Sequence, residues 1–391
     1  MPRKRLSESD LKEFSLHVAA AGALLDKVIA RQMHLDAATF CFWKKRSLTQ
    51  GFLRLSINPQ KFEIEELCEF SRTLMAEDVG KRLLKKLEEA GASTLREVIV
   101  LAPPARQSTE DEKLQVFARL AAPLLLRRLS GVCGIAYGST MRALASEMAL
   151  IAAPLCGLGS RIAAFVPVRG EAIASSSKDS ASTLAKILNS AVSASPLKSP
   201  PSLDGIPAVI PGEANKEDAL EWQQRFTNVP RYARIFGGFG TKTPLISQMT
   251  ALLTSVGPAT PVSEWTEECN ALAHLTPMDF EFLAGEIAGV PIPLTLNLSP
   301  SQNAKLEEID ARWIGLKRRH LVEITAQSKK GIERWPGVVL IACGIHPTKA
   351  RPIVHASLQK LCSVIVVDLA LAEKIEQELE ALPRRDEAAV K

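Results

Sequence analysis

Short unbroken apolar runs alternate along most of this chain with longer stretches whose apolar residues recur every three to four positions. Glu97–Leu101, Gly131–Ala136, Ile162–Pro167, Val338–Cys343 and Ser363–Val367 are runs of the first kind. Their continuity predicts strands buried on both faces. Between them the spacing predicts helices. Leu114, Phe117, Leu120 and Leu124 stripe residues 110–129, and Met141, Leu144 and Met148 stripe residues 140–152. Residues 178–190, a segment from about Pro347, and residues 370–381 complete the series. Strand and helix in alternation predict an α/β fold with a parallel sheet covered on both faces. The pattern is weaker over 191–330. There it predicts a short buried strand at Ala208–Ile210, a strand over 248–256, and a mostly helical segment over 262–290 that Pro291 and Pro293 break.

The N-terminal pattern differs. Residues 9–21, 23–33 and 35–46 predict three short helices, with Ser7 or Ser9 capping the first and Asp36 the third. Gly51–Ile57 alternates as a strand does and ends at Asn58-Pro59. Three short helices and a strand fit a winged helix-turn-helix. Residues 62–90 predict a helix with Leu67, Phe70, Leu74, Leu83, Leu84 and Leu87 on one side and a break near Gly80. The expected organisation is a small winged helix-turn-helix-like head over 1–60, a linker helix over 61–92, and a large α/β domain over 93–391.

Composition narrows the classes. At 46% hydrophobic and 23% charged, the chain has material for a large core and is not broadly disordered. No window has about 18 uninterrupted apolar residues, so no membrane span is expected. The basic start, Met1-Pro2-Arg3-Lys4-Arg5, is not followed by an apolar stretch, and a cytoplasmic protein is expected. The seven cysteines show no CxxC pair and the six histidines no HExxH. Neither metal nor cofactor is expected. The glycine-rich Phe236–Gly240 lacks the spacing and preceding strand of a dinucleotide site. Residues 1–60 carry ten Lys/Arg and five Asp/Glu, a net charge of +5, which equals that of the whole chain. A basic head on a neutral body points to an anionic polymer as partner.

In open α/β sheets ligands bind outside the carboxyl ends of the strands. Gly134-Ile135-Ala136-Tyr137-Gly138-Ser139-Thr140 passes from strand to helix. Its glycine, hydroxyls and free amides suit an anion, or form only a tight turn with a capped helix. Gly344-Ile345-His346-Pro347-Thr348-Lys349 offers a turn, a hydroxyl and a cation. A lysine in a helix's first turn opposes the dipole unless an anion is present. Asp368 ends the last strand, where it accepts from sugar hydroxyls or caps the following helix. Arg169-Gly170-Glu171 is a further strand end.

These motifs resemble the sugar-binding domain of the SorC family of bacterial transcriptional regulators over residues 96 to about 378. The match lies in Leu95–Val100, Gly134–Ala145, Val338–Ala350 and the Val364–Asp368 strand. The resemblance implies a Rossmann-like parallel-sheet effector domain related to sugar-phosphate isomerases, a phosphorylated sugar or similar anionic effector, a homo-oligomer (dimer or tetramer), and effector control of double-stranded DNA binding. By the same resemblance the effector site falls on Gly134, Tyr137, Gly138, Thr140, Gly170, Gly344, Lys349 and Asp368, and the strand-end reading adds Ser139 and His346. The family's recognition helix falls on Asp36–Arg46. Where family members carry arginines this chain has Ala37 and Phe42. DNA contacts are then expected from Thr39, Lys44, Lys45 and Arg46, and from the arm Arg3, Lys4 and Arg5. A metabolite-responsive regulator with no enzymatic activity is the expected function. Two alternatives stand beside it. One is a sensor whose head docks a protein through an exposed patch of Phe40, Phe42 and Trp43; the other is an isomerase-like enzyme.

Overall fold

The computed structural model of the chain describes residues 7–20, 29–31, 33–49, 62–103, 109–153, 161–171, 180–192, 201–210, 216–238, 240–260, 263, 265–267, 269, 277–328 and 337–382. The basic arm at 3–5 and the expected strand at 51–57 lie outside them.

Nine strands occur among the described residues: β1 (Glu97–Leu101), β2 (Gly131–Ile135), β3 (Ile162–Pro167), β4 (Met249–Thr254), β5 (Val256–Pro258), β6 (Leu283–Ile287), β7 (Val290–Pro293), β8 (Gly337–Ala342) and β9 (Val364–Asp368). Six form one sheet in the order β1-β9-β8-β4-β2-β3, every pair parallel. The apolar runs are continuous because both faces of this sheet are covered. Along β8, Val339 and Ile341 enter one core while Val338, Leu340 and Ala342 enter the other. Along β9, Val364 and Val366 separate from Ile365 and Val367 in the same way. The two-residue period of a strand sends successive side chains to opposite faces, so each face has its own core. The helices Glu110–Leu126, Ser139–Ala152 and Ala181–Ala191 cover one face. Glu77–Ala90, Ala350–Leu358 and Leu369–Glu380 cover the other. Each fully buried Leu, Ile, Val or Phe contributes roughly 1.5–3 kcal/mol.

Two expectations need correction. Of the described residues of 262–290, 265–267 and 269 are helical and Pro277–Phe280 form one 3-10 turn, but Leu283–Ile287 is the strand β6, which forms a small antiparallel sheet with β5 and β7. Phe282–Val290 is rich in apolar residues, and apolar content does not separate helix from strand over so short a run. What decides it is the turn. Ala288 and Gly289 both have positive φ (51° and 92°) between the paired Ile287 and Val290, as a two-residue hairpin requires. Pro291 and Pro293 then lie inside β7, which is tolerated because β7 is an edge strand.

The segment 61–92, expected as a linker helix broken near Gly80, is two helices, Ile64–Thr73 and Glu77–Ala90. The break falls at 74–76, where Met75 bridges to Leu101 and the Ala76 amide donates to the Val100 carbonyl at 2.8 Å. Gly80 sits inside the second helix against β1. A Cβ there would lie 2.5 Å from the Val98 carbonyl oxygen. Leu67, Cys68 and Phe70 complete one core, and Leu83 and Leu87 the other.

In the head, the helices Glu8–Ala20 and Ala37–Thr49 pack through Phe14 and Phe40, with ring centroids 5.1 Å apart; Trp43 lies 5.7 Å from Phe14. Ile29 and Ala30 join this core. The turn between is tight. His34 takes a positive φ of 54°, and the Leu35 amide donates to the Ala30 carbonyl at 2.8 Å. Asp36 then accepts from the Thr39 amide at 2.9 Å and caps the helix. The head meets the body through the Lys12–Glu66 ion pair at 3.0 Å and through Leu11 and Leu16. No helix among the described residues is long and apolar enough to cross a membrane.

Candidate functional site

The strand order positions the site. The helix after β2 puts Met141, Leu144 and Met148 into the first core, and the helix after β8 puts Ile353 and Val354 into the second. The chain therefore leaves β2 and β8 toward opposite faces and opens a crevice at the carboxyl end of β4, which lies between them. A cavity of about 420 Å³ fills this crevice.

Tyr137, Gly138, Ser139, Thr140, His346 and Lys349 line it, joined by Thr254, Ser255, Gly257, Trp265 and Glu286. Gly138 has a φ of 108°, which turns the chain from β2 directly into the helix beginning at Ser139. That helix start faces the cavity. Lys349 is only 9% exposed; its ammonium donates to the Ser255 hydroxyl at 3.1 Å and to Thr140 Oγ1 at 3.4 Å. Burial lowers its pKa to about 8, against the opposing pull of the Glu286 carboxylate. His346 is also held below its ordinary value, first by burial and then by the Lys349 charge.

Glu286 is 4% exposed, on β6. Its carboxylate accepts from the Gly289 amide and, at 3.4 Å, from the Tyr137 hydroxyl. Burial raises its pKa, opposed by the Gly289 hydrogen bond and by the charges of Arg169 and Lys349. The Arg169 guanidinium lies 3.5 Å from the Tyr137 ring centroid and 5.0 Å from that of Trp313. Arg169 itself is 1% exposed. It lies behind Tyr137 rather than in the cavity wall.

Four expected effector residues stand apart from the lining. Gly134 lies within β2. A Cβ on Gly170 would lie 2.4 Å from the Pro207 carbonyl oxygen, so this glycine serves a close backbone approach. Asp368 accepts from the Gly344 amide at 2.9 Å and from the Leu371 amide at 3.0 Å. It thus caps the last helix and ties down the loop after β8, and Gly344 is part of that tie. Of the residues that sequence reasoning missed, Ser255 and Gly257 carry a strand-end signal, because they follow the apolar Ala251–Leu253. Glu286 carries a different one: a single acid within an apolar run.

In the head, the Thr39 hydroxyl donates to Asp36 at 2.6 Å. Lys45 and Arg46 are exposed and Lys44 half-buried. Phe40 is buried and Trp43 half-buried, while Phe42 is 48% exposed. Two of the three rings of the patch expected for protein docking are thus packed in the head.

Among the described residues no group of three or more His, Cys, Asp or Glu side chains could hold a metal ion.

No protein-family model matches the chain. No curated protein matches it either. Solved structures do. The full-length sorbitol operon regulator SorC from Klebsiella pneumoniae is 16% identical, with a TM-score of 0.52, covering 94% of this chain and 99% of its own. A DeoR family transcriptional regulator from Listeria monocytogenes is 18% identical, with a TM-score of 0.51, covering 76% of this chain and 98% of its own. The chain shares the fold of these regulators.

Proposed function

We propose that this chain is a metabolite-responsive transcriptional regulator of the SorC kind, without catalytic activity and acting in the cytoplasm. The body binds a phosphorylated sugar or related anionic metabolite in the cavity at the carboxyl ends of β2, β4 and β8. The head binds double-stranded DNA through Lys44, Lys45, Arg46 and the arm Arg3, Lys4 and Arg5. The chain works as a homo-oligomer, because paired heads supply the contacts that specific operator binding needs. Effector and DNA are coupled through the head–body contact, where Lys12, Leu11 and Leu16 meet the helix Ile64–Thr73 and its core.

The observation that carries this reading is Lys349. A buried ammonium, held by two hydroxyls at the start of a helix and at a crevice between diverging chain paths, is arranged to receive an anion. The packing of Phe40 and Trp43 against Phe14 supports a folded head over a docking patch. The test is a thermal-shift screen of phosphorylated sugars, repeated with the DNA upstream of the chain's own gene. Lys349→Ala is expected to weaken the best ligand about tenfold or more, the order of one charge-assisted hydrogen bond, with unchanged far-UV circular dichroism. Equal affinity of the variant and the parent refutes the placement of the anion.

A further inference from the structure

Resting on the reading of the head as a DNA-binding module, we propose that the helix Ala37–Thr49 reads thymine: its outward face recognises 5-methyl groups in the major groove of the operator. Ala37, Ala38, Cys41, Phe42, Lys45 and Leu48 are exposed, while Phe40 and Ser47 are buried. The helical period puts the exposed set on one side and the buried pair on the other. The face so formed opens with two alanines, a cysteine and a phenylalanine, and Phe42 is 48% exposed. No carboxylate breaks it. The helix contains no acid, and Asp36 before it is engaged by the Thr39 amide and hydroxyl.

An exposed apolar stripe on a helix accepts either a protein or the floor of a DNA groove. Charge decides between them. Residues 1–60 carry a net charge of +5, and Lys45 and Arg46 are exposed toward the end of the same helix. A polyanion matches that charge. The side chains then limit what can be read. Alanine and phenylalanine offer no hydrogen-bond donor or acceptor. The polar edges of guanine, adenine and cytosine therefore meet no partner on Ala37, Ala38 or Phe42. Thymine alone displays an apolar group in the major groove, its 5-methyl, and alanine and phenylalanine make the apolar contact with it. In a helix-turn-helix the first residues of the second helix touch base edges. Here those residues are the apolar ones, and the cations follow them. Burying one methyl contributes a factor of about four in affinity, so two per head contribute about tenfold or more.

The experiment uses the DNA upstream of the chain's own gene, made once with thymidine and once with deoxyuridine throughout. The exchange deletes the 5-methyl groups and leaves every hydrogen-bonding edge as it was. Affinity of the full chain for each duplex is measured by fluorescence anisotropy at low salt. The parent is expected to bind the thymidine duplex about tenfold or more tighter. Phe42→Ala, at an exposed position, is expected to reduce that ratio to about threefold or less, and Phe42→Leu to keep most of it. Any difference in stiffness between the two duplexes acts on parent and variant alike, so the change in ratio isolates the contact. Equal affinity of the parent for the two duplexes overturns this proposal and leaves the head a DNA-binding module that reads its site by other means. A ratio that Phe42→Ala leaves unchanged overturns the assignment to this face. Binding to neither duplex, with or without effector, overturns the DNA-binding reading itself and gives the apolar stripe to a protein partner.

Discussion

Lys349 and Asp368 show how residues at equivalent strand ends take different parts. Lys349 follows β8 and turns into the cavity, where burial holds its pKa near 8. In the proposed function its charged form receives the anion, so affinity for a phosphate ester is expected to be full below about pH 8 and to fall as pH rises through that value. An ordinary lysine would keep its charge to about pH 10.4. Titration calorimetry from pH 7 to 9.5 checks this, and a flat profile for the parent protein contradicts it. Lys349→Ala should be flat over the same range. Asp368, in contrast, spends its oxygens on the Gly344 and Leu371 amides. Asp368→Ala is expected to cost about 1–2 kcal/mol of stability in a denaturant titration, the loss of a helix cap and of a half-buried acceptor. Ligand affinity should stay within about threefold. A larger loss of affinity at unchanged stability would give Asp368 a direct role in holding the ligand.

At the scale of elements, the proposed DNA binding turns on the helix Ala37–Thr49. Its first residues present Asp36, Ala37 and Thr39, and Thr39 is engaged with Asp36. Its cations gather at the far end. Direct guanine readout at Ala37 and Phe42 is absent, so affinity should rest on phosphate contacts. Replacing Lys44, Lys45 and Arg46 together with Ala is expected to flatten the slope of log affinity against log salt by up to about three units, about one for each phosphate-binding cation removed. Metabolite affinity should not change. An unchanged slope on the chain's own promoter would move the DNA-binding surface to another face of the head.

For the whole molecule, the two helices at 64–90 belong to the body and set where it can be cut. Removing them strips Leu67, Phe70, Leu83 and Leu87 from both cores and uncovers β1. A fragment from residue 62 is expected to unfold cooperatively with the stability of the body. A fragment from Ser93 is expected to lose several kcal/mol, since each large buried side chain removed costs about 2–5 kcal/mol. Thermal melts of the two fragments check this. Equal melting temperatures would restore the segment to the status of a linker.

Local chemistry alone determined the parallel sheet. Val338–Cys343 and Ser363–Val367 are unbroken because each residue has a core to enter, whichever face it points to, and that signature is local. Helix caps such as Asp36 were legible for the same reason: the capping side chain and the amide it serves lie three residues apart. The strand-to-helix turn at Tyr137–Thr140 and the loop carrying Lys349 were also visible as composition at strand ends. Only the tertiary structure decided which of these ends meet. Thr140, Ser255 and Lys349 converge because β4 lies between β2 and β8, and strand order is not written in any local pattern. The hairpin at 283–293 depended on two positive φ angles that a run of apolar residues does not disclose. Gly80 looked like a helix break and is instead a point of close approach to β1, because what a glycine permits depends on the neighbour the fold supplies. Glu286 stood in the sequence as one acid among apolar residues, and its place in the cavity came from the pairing of β6 with β5.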